Sequence, residues 1–150
     1  MTTDFILAGA HHLCFLGMAV ALAMQWALLA PSRTAIPLAT LGRTDAWYGS
    51  LAGLLLLIGT ARVVWSPKGA DFFLENPFFW AKIGVFLAVG AISAFPTINY
   101  LRWRQQSRHD ASFQPAGPDI AKVRSAIRLQ ALGWVALPIL AAAMARGLAS

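Results

Sequence analysis

No charged residue interrupts the chain between Leu13 and Ala30. A run of that length spans the hydrocarbon core of a bilayer as one helix, because backbone amides in lipid must be satisfied within their own segment. The pattern repeats three more times. It predicts spans over about 5–30, 46–65, 77–101 and 120–146. The expected fold class is all-α: a polytopic integral membrane protein, one domain built as a four-helix transmembrane bundle. Composition supports this. Hydrophobic residues make up 58% of the chain and charged residues 12%, roughly half the charge of a soluble domain.

The ends of the runs carry local signals. Segment one stops at Pro31-Ser32, and its Gly17 and Ala21 form a small-xxx-small pair suited to close helix contact. Cys14 is the lone cysteine and reads as a small buried apolar residue. Thr44-Asp45 reads as the cap of segment two, whose Gly49-x-x-x-Gly53 offers a face for another backbone. Ser66-Pro67-Lys68-Gly69 ends that segment. Asn76 caps segment three, with Pro77 at its first helical position. Pro96 interrupts its hydrogen bonding, and Ser93 or Thr97 stands ready for a freed carbonyl. Asp119 reads as the cap of segment four, which Pro138 kinks. Trp134 reads as core, unlike the interfacial tryptophans.

Four spans put both termini on one side. The loops after segments one and three, with their helix ends, hold Arg33, Arg43, Arg102, Arg104, Arg108, Lys122, Arg124 and Arg128. Arg62, Lys68, Lys82 and Arg146 fall on the other side. The positive-inside rule makes the first set cytoplasmic and both termini periplasmic, in a bacterial inner membrane. The net charge of +6 then faces anionic lipid, and nucleic acid is not an expected partner.

This topology brings His11, His12, Arg62 and Lys82 to one depth beneath the outer leaflet. Ionisable side chains within spans usually face the bundle interior or a polar cavity. His11 and His12 point about 100° apart on a helix, so one turns inward. The pair reads as interfacial imidazoles making hydrogen bonds, as a proton relay, or, because imidazole suits haem iron, zinc or copper, as candidate cofactor or metal ligands. Lys82 either snorkels along Phe79 and Trp80 or serves a site. Arg62 pairs with Asp71, Glu75 or a lipid phosphate, or binds an anionic group such as a haem propionate, with Arg146 as a further candidate. Asp45 and Tyr48 are placed to pair with Arg43 or Arg128. Neither a phosphate loop nor an HExxH zinc pattern occurs.

Nearly the whole chain resembles a bacterial "predicted membrane protein" family of unknown function. The resemblance rests on His11-His12-Leu13, Asp45-Ala46-Trp47-Tyr48-Gly49, Lys68-Gly69-Ala70-Asp71, Asn76-Pro77-Phe78-Phe79-Trp80-Ala81-Lys82, Pro96-Thr97 and Met144-Ala145-Arg146-Gly147. The layout is also similar to the small membrane-bound protoporphyrinogen oxidase family. There a histidine lies early in helix one and a lysine early in helix three, the places of His11 or His12 and of Lys82. That family's second histidine is missing, since Phe79 and Ala81 flank Trp80. The resemblance implies haem b between the helices and a haem-dependent oxidoreductase. The leading expectation is a membrane-embedded b-type haem-binding redox protein, with His11 or His12 as an axial ligand, Lys82 as a second ligand or propionate partner and Arg62 as a propionate partner. The alternative is a non-catalytic accessory or scaffold subunit of a larger membrane complex. Membrane lipids, a second copy of the chain or such a complex are the expected partners.

Overall fold

A computed structural model describes residues 2–66 and 69–146. Pro67, Lys68 and Gly147, used above for a turn, a charge and a resemblance, lie outside the described residues. The elements are α1 (Thr2–Leu28), α2 (Leu38–Val64), a single turn α3 (Asp71–Leu74), α4 (Pro77–His109) and α5 (Gly117–Ala145). Four of them are long and apolar enough to cross a membrane, and no strand occurs among the described residues.

Each long helix buries a stripe spaced by three, four or seven residues, the spacing of a helix-bundle seam. On α1 the stripe is Cys14, Met18, Ala21 and Gln25; on α2 it is Leu41, Thr44, Tyr48 and Leu55. On α4 it is Val89, Pro96, Tyr100 and Trp103, and on α5 Val123, Ile127, Gln130, Trp134 and Leu137. The remaining apolar surface, Leu57 and Leu132 among it, points outward as lipid-facing residues do.

Several helix limits differ from the sequence reading. The second helix starts at Leu38, behind Pro37, and not at Thr44-Asp45. The reason is that Leu38 and Leu41 extend the stripe of Thr44 and Tyr48 back at helical spacing. Thr44 is thus inside the helix, and its hydroxyl donates to the Thr40 carbonyl at 3.0 Å. Two further turns of α4 carry Trp103 inward and run on to His109. The last helix opens behind Ala116, so Asp119 sits in its first turn rather than at its cap. Asn76 does cap α4: its side chain accepts from Phe78 N–H at 2.9 Å. Both α4 and α5 continue through their prolines. Near Pro96, Ser93 donates to Gly90 and the one Thr97 hydroxyl proton is shared between the Ser93 carbonyl and Asp45, so neither hydroxyl takes the freed Ile92 carbonyl.

Helices α1 and α2 pack tightly as one hairpin, and α4 and α5 as another. In the first, a Cβ on Gly17 would lie 2.9 Å from the Leu51 side chain. In the second, Gly133 lets α5 close on Val89 of α4, where no side chain fits. Polar bonds join the hairpins. Tyr100 donates to Gln25 at 3.1 Å, Trp134 to Tyr48 at 3.1 Å and Thr97 to Asp45 at 3.1 Å. Arg124 donates to the carbonyls of Trp26 and Leu29 at 3.1 and 2.8 Å. Asp45 and Tyr48 therefore pair across the hairpins and not with Arg43 or Arg128. Arg43 reaches Thr40, and Arg128 lies over Trp26. All these bonds lie between the Arg-rich end and mid-bundle.

Candidate functional site

A seven-residue step along a helix returns to nearly the same face. Followed toward the end that holds the termini, the stripe of α1 passes from Met18 to His11. That of α2 passes from Leu55 to Arg62, and that of α4 from Val89 to Lys82. The periodicity that buries apolar side chains in the core thus turns three basic side chains inward together.

They share one environment. The charges of Arg62 and Lys82 act on His11, and that of Arg62 acts on Lys82. His11 packs on the bare backbone of Gly59, where a methyl group would lie 3.4 Å from its Cε1 and 3.8 Å from Nδ1. Its Nδ1 is buried without a partner, and so is Nε of Arg62. Lys82 holds its Nζ 5.3 Å from the Phe79 ring centroid, while Trp80 is turned away to donate to the Leu74 carbonyl. The lysine stem therefore runs beside Phe79 and not Trp80.

No carboxylate of the described residues neutralises this group. Among the described residues the ion pair is Lys122–Asp119, at 3.6 Å and at the opposite end. The expected pairing of Arg62 with Asp71 or Glu75 is not made; both acids are exposed. Asp4, one seven-residue step beyond His11, forms no ion pair either. Gathering like charges in low dielectric is costly without a counter-charge. The arrangement can offer hydrogen-bond donors and positive potential to an acidic group.

The other expected members stand apart. His12 is exposed and donates from Nδ1 to the Ala8 carbonyl at 2.7 Å. Its ring lies 6.2 Å from that of His11 at 81°, so the two do not converge on one ion. No cluster of three His, Cys, Asp or Glu side chains occurs among the described residues. Arg146 caps the end of α5 and is exposed.

Below the basic group a cleft of about 480 Å³ opens between α2 and α4. Gly49, Gly53 and Gly90 line its walls, and Met18 of α1 reaches it from within. A Cβ on any of those three glycines would meet nothing within 4 Å. The Gly49-x-x-x-Gly53 face thus receives no other backbone among the described residues; Gly133, which the sequence reading passed over, is where α4 and α5 close up. Asp45 and Thr97 close one end of the cleft, and Leu56 and Phe86 lie at the other. Phe86 is one turn from Lys82 on the same face of α4.

Such an arrangement defines a four-span α-helical membrane protein with a basic group inside one end that no described carboxylate neutralises. The chain belongs to the family "Predicted membrane protein (DUF2214)", which matches residues 3–149. No curated protein and no solved structure matches it, so the resemblance to haem-binding oxidases gains no support from these comparisons.

Proposed function

We propose that this membrane protein binds an amphipathic acid, with the acidic group held by Arg62 and Lys82 beside His11. One observation carries the reading: three basic side chains occupy interior positions of three helices, and no carboxylate of the described residues pairs with them. Arginine and lysine together suit carboxylate or phosphate oxygens. In a bacterial inner membrane with its termini periplasmic, the group lies under the outer leaflet.

Haem b is one such amphiphile. Arg62 and Lys82 would hold its propionates, and His11, whose Nδ1 has no partner, would supply an imidazole nitrogen to the iron. Haem would supply electron transfer to such a site. Its plane would have to displace the contact between His11 and Gly59, which is a demand the simpler acid does not make. Absorption spectroscopy of protein purified from haem-replete cells tests that form. A Soret band abolished by His11→Ala and kept in His12→Ala supports it; a colourless protein removes haem and leaves the acid site to be tested by Arg62→Gln and Lys82→Gln. Loss of anionic-lipid retention in both variants is expected, and unchanged retention refutes the function. Orientation has its own check: a cysteine placed at Ser107 should be labelled from the cytoplasm alone.

The alternative of an accessory subunit rests on the empty glycine face, which leaves room for a partner helix. A stoichiometric partner lost in Gly53→Leu is its expected sign.

A further inference from the structure

We infer that the cleft between α2 and α4 is the berth for one acyl or prenyl chain of a membrane lipid whose acidic headgroup sits on Arg62 and Lys82. The inference rests on the acid-binding reading above and adds the ligand's class and its route of entry.

Three observations place the chain there. The cleft faces the bilayer between the two hairpins and its volume lies in the range of small-molecule sites. Its lining is mostly apolar, with Leu56, Phe86, Leu87 and Val89 along it. Its apolar end lies one turn below Lys82 and about 9 Å along α2 from Arg62, so a headgroup on the cations has its tail at the mouth of the cleft. The opposite end is closed by the Thr97–Asp45 bond, whose carboxylate would repel a second acid. From Phe86 to Thr97 the berth runs about 16 Å. A second hollow of about 480 Å³ between α1 and α2 has no charged residue in its lining. The first cleft carries no cation in its own lining either, and what singles it out is that its apolar end lies next to Lys82 and Arg62.

A lipid reaches this berth sideways, from the leaflet, without crossing the bundle. The absence of side chains at Gly49, Gly53 and Gly90 keeps the passage open. Larger residues at these positions fill space that no other group in the chain uses, which makes the passage separable from the fold.

The test is native mass spectrometry of the full chain in detergent, with dioleoyl phosphatidic acid as probe and dioleoyl phosphatidylcholine as the neutral control. The wild type should retain the acid at least tenfold over the neutral lipid. Gly53→Leu with Gly90→Leu should lose fivefold or more of that retention at an unchanged Tm. Gly53→Ala with Gly90→Ala, whose methyls meet nothing, should give an intermediate loss and serves if the leucine variant fails to fold. Inorganic phosphate at millimolar concentration should not displace the lipid. Full retention in the glycine variants overturns the berth while Arg62→Gln still tests the acid site separately. Displacement by phosphate alone overturns it too, because the headgroup would then suffice. Equal retention of both lipids overturns the acid site and the berth together.

Discussion

Replacing Arg124 should unfasten the two hairpins at their Arg-rich end. The carbonyls at the end of α1 explain why. Gln25 accepts from Leu29 N–H, Ala27 from Ala30 N–H and from Arg33 Nε, and Ala30 from Arg33 N–H. That tightening of the last turn skips Trp26 and Leu29, and both skipped carbonyls accept from Nη1 of Arg124 on α5. The guanidinium also lies 3.6 Å from the Trp26 ring centroid. Bonds from a charged donor contribute about 1.5–3 kcal/mol each, and stacking on an aromatic face about 0.5–1 kcal/mol. These terms are not additive, and water near the headgroups can recover part of the loss. Arg124→Ala should therefore cost about 2–3 kcal/mol. Arg124→Lys keeps the charge but loses the planar fork, and should cost about half as much. Arg128→Ala is the control: its guanidinium lies 5.1 Å from the same ring, and its loss should cost less than about 1 kcal/mol. Unfolding in mixed SDS micelles, followed by circular dichroism, measures all three. An Arg124→Ala variant within about 0.5 kcal/mol of wild type would refute the account.

Gly133→Leu should destabilise the protein by about 1–3 kcal/mol in the same titration, since the new side chain meets Val89 where α4 and α5 touch; Gly53→Leu, in open space, should not. Tyr100→Phe leaves the Gln25 amide oxygen without its donor and should cost about 1–2 kcal/mol. Arg62→Gln and Lys82→Met should each stabilise the ligand-free protein by about 1 kcal/mol or more, because each removes an unneutralised charge from the interior. A lowered Tm in both would mean that the cations are already compensated.

The spans were legible because each is an apolar run long enough to need no other signal. The cap at Asn76, the close contact at Gly17 and the burial of Cys14 and Trp134 were legible for a similar reason, resting on local chemistry or composition. The depth shared by His11, Arg62 and Lys82 followed from counting residues inward from the helix ends, but which histidine turns inward did not. Continuing the Met18–Cys14 stripe back by three residues would have chosen His11. The α2 start was hidden by Gly42 and Arg43, which look like a loop and lie on the less buried side of the first turns. Glycine spacing misled most. Gly49-x-x-x-Gly53 marks where a helix lacks bulk, and only the neighbouring helix decides whether that space is filled. Gly133 has no partner in a motif, yet it makes the close approach.

The pairing of Gln25 with Tyr100, Asp45 with Thr97 and Tyr48 with Trp134 bears on biogenesis. Each pair draws one member from the half of the chain made first and one from the half made later. While the ribosome is still producing the second half, an amide, a carboxyl and a phenol of the first sit in lipid with their partners unborn. The newly inserted half is thus marked as unfinished by its own polar groups. A chain truncated before Pro77 and released into the membrane should be held by membrane chaperones or cleared by intramembrane proteolysis, because those groups are never covered.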